Sequence, residues 1–202
     1  MAQRMFEELR DKKVLILGFG REGQDSFLFL RKKFPAKMLG IADTKKFEDF
    51  SKETQELLAK DKKVVLYLGE DYLKSLKRYD IIVKTPGIPL HALASFLSQK
   101  QVITSQTNIF FELFPGTIIG VTGTKGKSTV SSLLCEVLTN GGVSASLAGN
   151  IGKPVLQLLD NATKDDVLVY ELSSFQLETL RASPHIAVLL NIYSEHLDHH
   201  QT

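Results

Sequence analysis

The sequence predicts an α/β protein made of two successive units, each a parallel sheet covered by helices. Three observations carry that prediction. Short continuous apolar runs alternate with helical patterns along the chain, and the runs are apolar on both faces, as strands buried between helices must be. Two of these runs lead directly into glycine-rich turns, the sign of a strand handing over to a helix N-terminus.

In chain order the predicted strands are 14–17, 38–41, 64–68, 81–83, 118–121, 167–170 and 186–190, with helices at 24–33, 50–60 and 91–100 between them. A further helix follows the second glycine turn, because Val130, Leu133, Leu134, Val137 and Leu138 fall at i, i+3, i+4, i+7 and i+8. Asn140-Gly141-Gly142 ends it, where a left-handed cap fits. Ser173 and Ser174 cap the entry to a short helix. The first unit is assigned to 1–105 and the second to 106–202, opened by the segment from Thr107 to Phe114 and marked by Pro115-Gly116.

At 202 residues and 43% hydrophobic, the chain is long enough for one large or two small cores. A net charge of +2 is too small to argue for a nucleic-acid partner. The single Cys135 excludes a disulfide framework and fits a reducing compartment. Neither a secretory leader nor a membrane-spanning apolar stretch is legible, so a soluble cytoplasmic protein is expected.

Gly120 to Thr129 read G-V-T-G-T-K-G-K-S-T after the apolar pair Ile118-Ile119. Backbone N–H groups of such a turn converge on an anion, Lys127 brings a mobile positive charge, and the Ser128 hydroxyl suits Mg²⁺. Gly123, Thr124, Lys125, Gly126, Lys127, Ser128 and Thr129 are therefore the candidate phosphate-binding residues of a nucleoside-triphosphate site. The loop is a variant, since a strict G-x-x-x-x-G-K-[ST] motif requires glycine where Val121 stands. The bland alternative is a glycine-rich turn with a solvated lysine.

The first unit has its own signature, Gly18-Phe19-Gly20-Arg21-Glu22-Gly23 after strand 14–17, with Asp43 ending the next strand. By spacing alone it suits a nicotinamide or flavin dinucleotide with Asp43 on a ribose hydroxyl, a nucleotide-sugar, or a purely structural turn. Thr85-Pro86-Gly87 adds a loop on the same carboxyl edge, where open parallel sheets bind ligands.

Downstream, the strand 167–170 runs into Glu171, the carboxylate by which a P-loop protein reaches Mg²⁺ from the neighbouring strand. Its alternative is an exposed strand-end acid. Asn150, in Ala148-Gly149-Asn150-Ile151-Gly152, either donates to a substrate or occupies a turn. His196, in Glu195-His196-Leu197-Asp198-His199-His200, is a candidate metal ligand or proton carrier, whereas His199 and His200 read equally well as a solvated tail.

Together, the 122–129 loop, the 148–152 turn, the string from Glu171 to Glu178 and the segment from Asn191 through Asp198 resemble the Mur ligase family along essentially the whole chain. The Glu171 to Glu178 string is most similar to members that add D-glutamate to UDP-N-acetylmuramoyl-L-alanine. The resemblance implies a Rossmann-like UDP-substrate-binding domain, followed by the first part of a P-loop ATPase-type α/β central domain. It reassigns Gly18, Phe19, Gly20, Arg21, Asp43, Thr44, Lys45, Thr85, Pro86 and Gly87 to the UDP substrate. It implies ATP and Mg²⁺ as cofactors, an acyl-phosphate route to ADP, and a monomer at full length. Lys127, Glu171, Asn150 and His196 become the catalytic set, with Ser128, Glu171 and His196 on metal and with Asn150 and His196 also on the muramoyl substrate.

The family usually carries Asn where this chain has Lys125. Because family members are more than twice as long, the 202 residues are expected to bind the UDP moiety without completing ligation alone. Two other readings stay open: a non-catalytic nucleotide-sugar module and a nicotinamide-dependent oxidoreductase.

Overall fold

The computed structural model describes residues 2–150 and 155–196, so Ile151, Gly152, Leu197, Asp198, His199 and His200 lie outside the described residues. The chain divides into two compact units, one ending at Gln106 and one starting at Thr107.

The first unit runs α1 (Ala2–Asp11), β1 (Val14–Leu17), α2 (Arg21–Lys33), β2 (Leu39–Asp43), α3 (Lys52–Lys60), β3 (Val64–Leu68), β4 (Ile81–Lys84) and β5 (Val102–Thr104), and α4 (Gln106–Leu113) spans the division. Its five strands are parallel in the order β3-β2-β1-β4-β5. β1 and β4 are buried throughout, which accounts for the unbroken apolar runs of β1 and of Ile81 to Val83. Each fully buried Leu or Ile there contributes about 1.5–3 kcal/mol by leaving water. From β1 the chain winds through β2 to β3 and then returns to the far side of β1, so a switch in strand order lies between β1 and β4. The loops after these two strands meet there, with Thr85 donating its backbone N–H (2.9 Å) and its hydroxyl (3.1 Å) to Leu17 O.

The second unit runs β6 (Thr117–Thr122), α5 (Lys127–Asn140), β7 (Ala145–Gly149), β8 (Val167–Glu171), α6 (Ser174–Leu177) and β9 (Ile186–Leu189). Its sheet is also parallel, in the order β7-β8-β6-β9, and again the first strand lies beside the switch in order. Helix α5 ends as expected: Gly142 takes φ +83° and donates to Thr139 O, while Val143 donates to Leu138 O, the paired bonds of a Schellman motif.

Three expectations need correction. The segment 91–100 is not an α-helix but a 3₁₀ turn at Leu90–Leu93 followed by further i to i+3 turns. Leu90, Leu93 and Phe96 recur every three residues, the period of a 3₁₀ turn, and Leu93, Phe96 and Leu97 reach the first unit's core in that form. The apolar stripe of α5 is only partly covered, since Leu133 and Val137 remain 58% and 59% exposed. β9 likewise leaves Ile186 and Leu189 exposed on the sheet edge. Among the described residues, no helix is long and apolar enough to cross a membrane.

Candidate functional site

The position where a strict phosphate loop needs glycine is still strand in this chain. Val121 is fully buried in β6, paired with Glu171 on one side and Val188 on the other. The turn therefore begins two residues later, with Gly123 at φ +143° and Gly126 at φ +84°, conformations that side-chain-bearing residues rarely adopt. Gly126 is the N-cap of α5, and the first helical bond runs from Val130 N to Gly126 O at 3.0 Å. The N–H groups of Lys127, Ser128 and Thr129 thus precede the helical ladder and have no backbone acceptor among the described residues. An anion fits there. Lys127 Nζ folds back to donate to Gly123 O (2.8 Å) and Thr124 O (2.9 Å), which keeps its charge at the mouth of the turn.

Two predicted phosphate donors are otherwise engaged. Thr124 N donates to Asn191 O at 2.9 Å, and Lys125 N donates to Asn191 Oδ1 at 2.9 Å. The Thr124 hydroxyl accepts from Tyr193 N and donates to Tyr193 O. These groups shape the loop from behind.

Glu171 ends β8, in register with Val121 of β6 and Gly149 of β7, one strand from the phosphate loop. It is 1% exposed, unlike the solvated strand-end acid of the alternative reading. Its Oε1 accepts from Asn150 Nδ2 at 3.1 Å, and Asn150 N donates to Glu171 O at 3.0 Å. Its Oε2 is buried without a hydrogen-bond partner among the described residues. A buried, unsatisfied carboxylate oxygen is expensive, and beside a phosphate loop a cation is the natural way to satisfy it. Gly149 lets Asn150 come this close: a Cβ there would lie 2.2 Å from Glu171 O.

Among the described residues, no three His, Cys, Asp or Glu side chains form a metal cage. That donor set suits a hard ion that keeps water and phosphate oxygens around one or two protein ligands, as Mg²⁺ does.

A cleft of about 820 Å³ joins Gly123, Lys127, Asn150, Ser173, Phe175 and His196. Three of the predicted catalytic residues line it, and the fourth, Glu171, is reached through Asn150. Ser128 is exposed at the start of α5 and is not part of that lining. His196 adopts φ +56°, and its ring lies 4.7 Å from that of Phe175, tilted by 52°. Sequence reasoning missed Phe175 and Asn191. For Phe175 the signal available was its place as the second residue of the serine-capped helix. For Asn191 it was an amide directly after a strand.

In the first unit the Gly18 to Gly23 turn follows β1; its first amide, Gly18 N, donates to Ala42 O at 2.8 Å, and its second is taken by the protein's own acid. Phe19 N donates to Asp43 Oδ2 at 2.6 Å, and Lys45 N donates to Asp43 Oδ1 at 2.9 Å. The Phe19 ring is buried edge-on against Phe27 and Phe50, so it packs the core rather than facing a ligand. Asp43 acts as a tie between the β1 and β2 loops, a role its spacing did not reveal. Lys84, also missed, is 1% exposed, and its Nζ donates to Thr85 O, Pro86 O and Ile88 O, which folds the Thr85-Pro86-Gly87 loop around a buried ammonium.

Residues 121–202 match the Mur ligase middle domain. The chain is 37% identical to the UDP-N-acetylmuramoylalanine–D-glutamate ligase of Clostridium kluyveri over 96% of its length, and 35% identical to that of Staphylococcus saprophyticus over 98%. It spans 42% and 43% of those relatives. Among solved structures, the UDP-N-acetylmuramate:L-alanyl-gamma-D-glutamyl-meso-diaminopimelate ligase of Neisseria meningitides shares the fold, with a TM-score of 0.52 at 20% identity, covering 93% of this chain and 63% of that one. The switch-point phosphate loop, the buried Glu171 and the match across both units lead to one conclusion: the chain belongs to the Mur ligase family.

Proposed function

We propose that this chain carries the UDP-substrate and ATP-phosphate sites of an ATP-dependent ligase that adds D-glutamate to UDP-N-acetylmuramoyl-L-alanine in cytoplasmic peptidoglycan precursor synthesis. The observation that carries the reading is the unpartnered, buried Oε2 of Glu171 beside a phosphate loop. Neither a nucleotide-sugar module nor a nicotinamide enzyme needs that pairing.

In the proposed reaction the substrate's terminal carboxylate attacks the γ-phosphorus of ATP, ADP leaves, and an acyl phosphate forms. The amine of D-glutamate then attacks the acyl carbon and inorganic phosphate leaves, giving the amide. The N–H groups of Lys127, Ser128 and Thr129 would bind phosphate oxygens. Lys127 would exchange its two loop carbonyls for the transferring phosphoryl group, placing charge where charge develops. Glu171 and the Ser128 hydroxyl would hold Mg²⁺, which when bound neutralises phosphate charge. Asn150 holds the Glu171 carboxylate in orientation, and His196, backed by Phe175, would position the muramoyl substrate. In the first unit, Gly18, Gly20, Arg21, Thr44, Lys45 and the Thr85 to Gly87 loop would meet the UDP moiety at the β1/β4 switch point.

Calorimetric titration of this chain with ATP plus Mg²⁺, UDP-N-acetylmuramoyl-L-alanine and NADH tests the reading. Saturable binding of the first two, with nucleotide affinity dependent on Mg²⁺, is expected. Binding of NADH alone would sink it.

A further inference from the structure

The phosphate loop of this chain is held by a residue outside it. Asn191 follows β9 and presents its side-chain amide to Lys125 as a second peptide group would: Oδ1 accepts from Lys125 N at 2.9 Å, and Nδ2 donates to Lys125 O at 2.9 Å. Its main-chain carbonyl takes Thr124 N at 2.9 Å, and just before it Leu190 N donates to Thr122 O at 3.0 Å. Two residues on, both backbone groups of Tyr193 bond the Thr124 hydroxyl. Strand pairing between β6 and β9 is thereby carried into the turn. Gly123 permits it by its φ of +143° and by packing against Leu190 and Asn191, which a Cβ would meet at about 3 Å.

We propose that Asn191 is the positioning residue of the phosphate loop. By fixing both backbone groups of Lys125, it sets the direction in which the N–H groups of Lys127, Ser128 and Thr129 point. The inference rests on the reading of this loop as a nucleotide site, but the clamp has a readout of its own. It also explains the lysine at position 125: the residue takes part through its backbone while its side chain is exposed, so side-chain identity there matters little to loop shape.

The test combines amide hydrogen exchange with ATP–Mg²⁺ titration on the chain and on Asn191→Ala, Asn191→Asp and Lys125→Asn. In Asn191→Ala, exchange at Lys125 N–H should rise at least about tenfold while Ile119 and Val121 in β6 keep their protection, and ATP affinity should fall about tenfold, the order of one lost hydrogen-bonded pair. Asn191→Asp keeps the acceptor and should keep Lys125 N–H protected, so it tests the clamp even if the alanine variant loosens the unit. Lys125→Asn should change ATP affinity by less than about threefold, since one exposed charge contributes little. Unchanged Lys125 exchange in Asn191→Ala overturns the clamp. Faster exchange with unchanged ATP affinity overturns the positioning role. Absence of ATP binding by the unsubstituted chain, with the exchange pattern as expected, refutes the nucleotide reading and leaves the clamp standing.

Discussion

The two glycine-rich turns occupy the same place in their sheets and are tied down by different groups, a carboxylate in one and a neutral amide in the other. Each follows the first strand of its unit, beside the switch in strand order. In the first, Gly18 N donates to Ala42 O and the next amide, Phe19 N, donates to a carboxylate of the protein, Asp43. In the second, the leading amides of Thr124 and Lys125 donate to neutral oxygens of Asn191, the helix N-terminal amides stay available, and Lys127 waits at the mouth. An anion already built into the first turn lowers its appetite for another. A turn tied down by a neutral amide keeps its full positive potential for phosphate. Two similar glycine patterns therefore differ in the charge that the protein itself places at the turn.

The largest effect that would sharpen this comparison is expected from Lys127→Ala. Removing a charge-assisted donor should weaken ATP about 10- to 100-fold by calorimetry while UDP-substrate affinity stays within error. Equal loss at both sites would show that the turns do not act separately. Next comes Glu171→Gln, which replaces the unpartnered oxygen by a neutral amide. The Mg²⁺-dependent part of ATP affinity should fall about tenfold, and an unaltered Mg²⁺ titration would remove Glu171 from metal binding.

Asp43→Ala probes the other turn. It removes two hydrogen bonds to backbone amides and should destabilise the first unit by about 1–3 kcal/mol in urea unfolding. UDP-substrate affinity should fall with it and ATP affinity should not. If UDP-substrate affinity rises instead, Asp43 is a competitor for the ligand rather than a tie.

The smallest effect concerns the turn before β8. Hydrogen bonds from Thr163 N, then from the Ser144 and Thr163 hydroxyls, hold the Asp166 carboxyl below its ordinary value of 3.8. A depressed folded-state value means stability that is present above that pH and is lost as pH falls through the lower, folded value. Asp166→Asn should therefore show a small, constant stability deficit near neutrality that shrinks as pH falls below 3.8 and vanishes once the folded-state carboxyl is protonated. A deficit that persists in acid would place its cause outside ionisation.

Much of the architecture could be read from residue patterns, for reasons visible in particular elements. β1, β4 and β8 are deeply buried, so their apolar runs had a single interpretation. α5 carried its period and its Gly142 cap in plain view. β7 did not: Ala145-Ser146-Leu147-Ala148-Gly149 has little strand propensity of its own and is a strand because β8 pairs with it along its length. α1 hides for a related reason, since from Met5 to Asp11 only Met5 and Leu9 are buried, too few to make a convincing stripe.

The site divides along the same line. Sequence alone determined the chemistry on offer: glycines at the turn, Lys127 and Ser128 opening the helix, an acid ending β8, Asn150 and His196 further along. Those are local patterns, and local sterics and charge are enough to read them. Only the tertiary structure decided which amides face a ligand and which face the protein, that Glu171 keeps one buried oxygen without a partner, and that Asn191 grips a loop 66 residues away. These depend on which strands lie side by side, and strand order is set by long-range packing that no short stretch of sequence encodes.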